Sequence, residues 1–214
     1  MRDFPMFTTQ YGVVSLLLKE IPYKQTAYIR IREVREEFFR EDLAECVAFC
    51  RMCGAEAVYA AGHEKLEKYP LYTAVVQMRG IARVEQEKVK CLFPVTEKTV
   101  SRWRSIYNER MSAVANAAYM NEADARTMLD AGDGYFIHRD GTLLGIGKAA
   151  GGKVEAVASV CPGSGGDIMA ALSGILTEET ITLEVASANE KAIRLYERLG
   201  FIRTGERSRW YRIK

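Results

Sequence analysis

Asn189 and Tyr196 are the residues of this chain whose types and spacing point most directly to chemistry. They lie in Leu183-Glu184-Val185-Ala186-Ser187-Ala188-Asn189-Glu190-Lys191-Ala192-Ile193-Arg194-Leu195-Tyr196-Glu197-Arg198-Leu199-Gly200-Phe201, a hydrophobic strand running into a helix. A separation of seven residues is two helical turns, so the two side chains share roughly one face, near the carboxyl end of the preceding strand. Open α/β sheets hold their ligands there. A phenol with an ordinary pKa of ~10 can donate a proton to a nearby group that gains negative charge, where positioning assists the transfer. Each residue also has a structural explanation. Asn189 suits an N-cap and Gly200 a C-terminal cap, while Tyr196 falls on the apolar stripe as a core aromatic would.

The elements that would position these residues are legible from residue 90 onward. Lys90-Cys91-Leu92-Phe93-Pro94-Val95 reads as a strand, and Thr96 as the cap of a helix covering Val100, Trp103, Ile106, Tyr107 and Met111. A shorter helix follows over Glu122 to Leu129. Tyr135 to His138, Leu143 to Lys148 and Val154 to Val160 form three antiparallel strands, separated by Asp140-Gly141 and Gly151-Gly152, dipeptides that suit tight hairpins. A helix through Ile168, Ala171, Leu172, Ile175 and Leu176 leads to the strand Ile181 to Val185 and the tyrosine helix.

The chain is expected to divide at the charged segment Glu85-Gln86-Glu87-Lys88, giving parts 1–89 and 90–214. The first part offers strands at Val13 to Leu18, Ala27 to Ile31, Ala57 to Ala60 and Tyr72 to Met78, with a helix from Glu41 to Met52. Val58-Tyr59-Ala60-Ala61-Gly62-His63-Glu64-Lys65 faintly echoes Glu184 to Lys191, each running from a strand into Glu-Lys. Pro70 falls where Tyr196 would be. The first part is therefore read as a truncated half-repeat without a ligand, or as an unrelated α/β extension packed on the core.

Composition limits the function classes. The 214 residues are 48% hydrophobic and 27% charged, as in an ordinary soluble globular protein. A formal charge of +2 gives no reason to expect nucleic-acid binding. The longest apolar run, Val13 to Leu18, is too short to span a bilayer, and the N-terminus lacks a signal core, so a cytoplasmic protein is expected. Five cysteines without a secretory signal are expected to be free thiols. Cys46, Cys50 and Cys53 fall at helical spacing, which predicts a buried stripe, and no zinc-ligand set completes Cys50-x-x-Cys53.

The pattern Asn-x-x-Ala-x-x-Leu-Tyr-Glu-x-Leu-Gly-Phe after a hydrophobic strand resembles the closing motif of the GNAT superfamily of acetyl-CoA-dependent N-acetyltransferases, and the element order of 90–214 resembles the family core. Ile106-Tyr107-Asn108-Glu109 is similar to first-helix sequences in many members. The resemblance implies an α/β (α+β) fold, a mixed and mostly antiparallel sheet flanked by helices, with a smaller N-terminal α/β part. It implies transfer of an acetyl group from acetyl-CoA to a primary amine by direct attack on the thioester. The alternative is a non-catalytic module of this fold that binds a partner or small ligand. The expected partners are acetyl-CoA and an amine, with a homodimer left open.

Carried onto this sequence, the resemblance makes Tyr196 the proton donor to the leaving thiolate. It places the backbone N–H that stabilises the oxyanion at about Val160, near the end of a fourth strand that splays from its neighbour and pairs with the pantetheine arm. Glu155 is the candidate general base, its facing ambiguous by one residue; its structural explanation is a surface carboxylate, and water acting through Ser187, Asn189 or a carbonyl would serve equally. The pyrophosphate is expected on the backbone of Gly163, Ser164, Gly165, Gly166, Asp167 and Ile168 at a helix N-terminus. This segment departs from the family pattern: the polar first position is Gly163, the small last position is Ile168, and the usual cations are replaced by Gly165 and Asp167. Asp167 facing a pyrophosphate would repel it, although Asp167 or Ser164 could simply cap the helix. No metal ligand is expected, and the final strands within Phe201 to Ile213 look short for the family.

Overall fold

Apolar residues at every second position in the extended runs, and at three-and-four spacing in the helical ones, decide which face of each element turns inward. The computed structural model describes residues 5–81 and 91–213. In chain order the elements are β1 (Met6–Thr8), β2 (Gly12–Leu17), α1 (Ile21–Lys24), β3 (Thr26–Val34), α2 (Phe39–Met52), β4 (Ala57–Ala61), β5 (Leu71–Ile81), β6 (Leu92–Pro94), α3 (Val100–Met111), α4 (Glu122–Ala131), β7 (Gly134–Arg139), β8 (Thr142–Ala150), β9 (Lys153–Ser159), α5 (Gly165–Ser173), β10 (Thr180–Ala186), α6 (Glu190–Arg198) and β11 (Ile202–Arg212). Short 3-10 turns occupy Glu36–Phe38 and Glu64–Lys68. No helix among the described residues is long and apolar enough to cross a membrane.

The chain forms two compact units, one holding the residues up to Ala74 together with those from Arg207 onward, the other Val75–Glu206. The segment 85–88, where the sequence suggests a division, lies outside the described residues.

In the first unit the strand order is β1-β2-β3-β4-β11, antiparallel except for β3 and β4, which run parallel with α2 as the crossover. Ala27, Ile29 and Ile31 of β3 face Leu43, Cys46, Val47 and Cys50 of α2 in one buried cluster. Burial pushes the Cys46 thiol up to about 12 and the Cys50 thiol up to about 11. Cys53 is exposed, contrary to the predicted stripe, because the helix ends at Met52 and Cys53 has left its apolar face.

In the second unit the order is β5-β10-β9-β8-β7-β6, with β9 and β10 parallel and α5 between them. One face carries α5 and α6 through Ile168, Met169, Leu172, Ile193 and Tyr196; the other carries α3 and α4 through Trp103, Ala125 and Met128 against Phe136, Ile146 and Ala158. Gly147 lets α5 approach closely, since a Cβ there would stand 2.5 Å from Leu172 Cδ1. The predicted strands and helices of 90–214 are all present with ends shifted by a few residues, except at the end of the chain. There a single strand of 11 residues, β11, replaces the short final strands expected.

The two units share a plan: antiparallel strands, a crossover helix, a parallel strand, and then an antiparallel partner from far along the sequence. In the first unit Tyr211 and Arg212 pair with Ala60 and Tyr59. In the second, Val75 to Ile81 pair with Ala186 to Thr180.

Candidate active site

Strands β9 and β10 pair only at Thr182 with Lys153 and Leu183 with Val154. Beyond that, β9 stays on β8 as far as Ser159 opposite Gly145, and β10 stays on β5 as far as Ala186 opposite Val75. The two parallel strands therefore part after their second pair and leave an opening at their carboxyl ends, with α5 following one and α6 the other.

The loop between β9 and α5 is anchored on one carbonyl. The register of β7 and β8 shifts between Ile137 opposite Gly145 and His138 opposite Leu143, which leaves Leu144 as the extra residue of a bulge. Its carbonyl accepts from Val160 N–H at 2.8 Å and Cys161 N–H at 3.1 Å. The buried Ser164 hydroxyl lies 2.9 Å from that carbonyl and 2.7 Å from the carbonyl of Cys161, and donates to one or the other. Ser164 thus closes the loop and makes no side-chain cap on α5.

The N–H of Val160, expected to face the ligand, is held by β8. Backbone groups of successive strand residues point to opposite edges, so the N–H of Ser159 is the one turned toward β10. Helix geometry leaves the first N–H groups of α5 without a carbonyl of their own helix. Gly163, at φ +83°, and Gly166 border open space, since a Cβ on either would meet nothing within 4 Å. Gly165 is pressed between elements: its Cβ would stand 2.7 Å from Leu195 Cδ2 of α6, which ties this loop to the tyrosine helix. Ile168 is fully buried and takes its place in the core. Asp167 pairs with Arg139 at 2.6 Å, so its carboxylate is met by a cation from the end of β7. Sequence reasoning missed Arg139. The available signal was strand alternation: Arg139 lies two residues after Ile137, whose side chain packs on the α5 face.

Tyr196 is buried in the core cluster with Leu183, Val185 and Ile193, its ring centroid 6.0 Å from that of Phe201. Burial pushes its phenol up to about 12, so the neutral, proton-bearing form persists well above neutral pH. Asn189 is the N-cap of α6, its Oδ1 accepting from Ala192 N–H at 3.3 Å.

Glu155 is the extra residue of a second bulge, since Lys148 opposes Ala156 while Ala149 opposes Val154. It is exposed and paired with Lys148, whose Nζ also lies 3.1 Å from Asp133 Oδ2. Burial raises the Asp133 carboxyl, with Lys148 opposing; Lys148 is itself raised, the bonds to Glu155 and Asp133 outweighing its burial. The structure therefore brings together the β9 terminus, the glycine loop, Arg139 and α6, whereas Glu155 stands at the base of the opening in an ion-pair cluster.

A putative acetyltransferase from Pyrococcus horikoshii superposes with a TM-score of 0.61 at 12% identity, over 95% of this chain and 70% of that one. The GCN5-related N-acetyltransferase of Sphaerobacter thermophilus does so with 0.55 at 11%, over 94% and 75%. The fold is that of the GNAT acetyltransferases. A functionally unknown conserved protein from Staphylococcus epidermidis also matches, with a TM-score of 0.57 at 14% identity, over 98% of this chain and 93% of that one. No family model matches the sequence, and no curated protein matches it significantly. The likeness to GNAT proteins extends well outside residues 90–214.

Proposed function

We propose that this GNAT-fold protein is an N-acetyltransferase that moves an acetyl group from acetyl-CoA to a primary amine. The observation that carries this reading is the parting of β9 and β10 beside a glycine loop and a tyrosine helix. Bound acetyl-CoA supplies the activated acyl group and the thiolate that leaves. The loop fits the phosphates of this cosubstrate: Gly163 and Gly166 border open space, and Arg139 offsets the carboxylate that would otherwise repel them. The N–H groups of Gly165 and Gly166 would hold the pyrophosphate at the positive end of α5.

On the same reading the Ser159 N–H, one residue before the position the sequence suggests, faces the opening and would stabilise the oxyanion. Tyr196 would hold the proton that the leaving thiolate takes up. Asn189 contributes by capping the tyrosine helix. Glu155 is a weak candidate for the base, since its negative charge is already matched by Lys148. We read the first unit as a degenerate half of the same plan, its two parallel strands paired for longer than those of the second: β3 and β4 stay together over five residues, Thr26 to Arg30 against Ala57 to Ala61. The test is calorimetric titration with acetyl-CoA and CoA, followed by an assay of free-thiol release over a broad amine panel. Binding with thiol release supports the reading; absence of turnover with every amine, with or without binding of CoA, overturns it in favour of a non-catalytic module that binds a partner or another small ligand.

A further inference from the structure

The first unit holds a cleft of its own, of about 250 Å³, lined by Arg30, Gly62, His63, Glu64, Glu67 and Arg209 among others. It forms where β4 stops. Strand β3 continues to Val34 beyond its last pair, Arg30 with Ala61, while β11 pairs with β4 only at Tyr211 and Arg212. The chain turns away at Gly62, φ +100°, where a Cβ would stand 2.3 Å from the Ile31 carbonyl oxygen, so only glycine lets β4 end in this way. The cleft therefore sits at the carboxyl ends of two parallel strands, a place where α/β sheets bind small molecules.

Its charges are of both signs, with Arg30, Arg207 and Arg209 on one hand and Glu64 and Glu67 on the other. The Arg30 side chain is half-buried and makes no hydrogen bond or ion pair among the described residues; the same holds for the side chains of Glu64 and Glu67 on the turn that follows Gly62. His63 is locked as a wall residue: its Nδ1 accepts from Lys65 N–H at 3.1 Å, its Nε2 lies 3.0 Å from Glu36 Oε1, and its ring packs on Phe39. A planar guanidinium takes a carboxylate in two parallel bonds, and two carboxylates at the rim take an ammonium group.

We propose that this cleft binds a small zwitterion of the amino-acid class, its carboxylate on Arg30 and its ammonium group toward Glu64 and Glu67. The site belongs to the first unit alone and is independent of the acetyltransferase reading. Thermal unfolding of the full chain is followed with each of the proteinogenic L-amino acids, and with acetate, ethylamine and inorganic phosphate as controls. One or more amino acids at millimolar concentration are expected to raise the midpoint by several degrees, with all three controls inert. Arg30→Met, which keeps the aliphatic stem, removes the shift, and Glu64→Gln with Glu67→Gln weakens binding at least tenfold. The proposal is overturned if no amino acid shifts the midpoint, if acetate or phosphate does so equally well, or if Arg30→Met responds like the parent. Should Arg30→Met fail to fold, Arg30→Lys replaces it and is expected to bind at least tenfold more weakly, because a point charge lacks the two-bond geometry; undiminished binding by that variant counts against the site.

Discussion

At the scale of single residues, Tyr196 and the Arg139–Asp167 pair carry the sharpest expectations. Tyr196→Phe keeps the ring in its core and removes only the hydroxyl, so turnover with a competent amine should fall roughly 10²–10⁴-fold while the affinity for acetyl-CoA changes far less. Full turnover would reduce Tyr196 to a core aromatic. The phenol also makes stability depend on pH. Its folded pKa, about 12, exceeds the unfolded value of ~10, so its contribution is complete below about pH 10 and is lost as pH rises toward 12. Denaturant titrations of the parent across pH 9–12 should show this loss, and the Phe variant should lack that part of the slope. Arg139→Met should remove the cation that meets Asp167 and weaken acetyl-CoA about three- to thirty-fold, as for loss of a charge-assisted contact. In a double-mutant cycle Asp167→Asn should restore part of the affinity; calorimetry that shows additive effects would disconnect the pair from the ligand.

At the scale of elements, the strands and helices of 90–214 were legible because period-two and period-3.6 patterns and the paired turn glycines all survive in the sequence. The bulges were not. A bulge at Leu144 or Glu155 leaves no residue signature, yet it decides which carbonyl anchors the loop and where a carboxylate projects, so counting along β9 could not fix Glu155. The same one-residue slip separates the predicted Val160 N–H from that of Ser159. Gly145 tests the arrangement directly: a Cβ there would stand 2.3 Å from the Ala158 carbonyl oxygen and 2.5 Å from Ile168 Cδ1. Gly145→Ala should therefore cost about 1–3 kcal/mol, measured by denaturant unfolding. A stability equal to the parent's would mean that β8 and β9 yield more readily than their register implies.

At the scale of the whole molecule, the sequence shows a plausible break near residue 85 but gives no sign that the first unit is finished by Arg207–Arg212. Pairing between distant segments is not written in local periodicity, and only the buried Trp210 and Tyr211 mark this stretch as more than a solvated strand. Shortening the chain to end at Glu206 should strip β4 of its β11 partner and remove Tyr211 from the cluster that encloses Cys46 and Cys50. Those two thiols should then react with a thiol reagent much faster than in the parent; unchanged protection would show that β1 to β4 with α2 suffice.

The return of β11 to the first unit also sets a timetable. During synthesis, β1 to β4 and α2 emerge early, but the strand that completes their sheet is made only after the whole of the second unit. Until then β4 leaves the ribosome with an unpaired edge, a state open to mispairing or to capture by another chain. The half that is made first is the half that must wait.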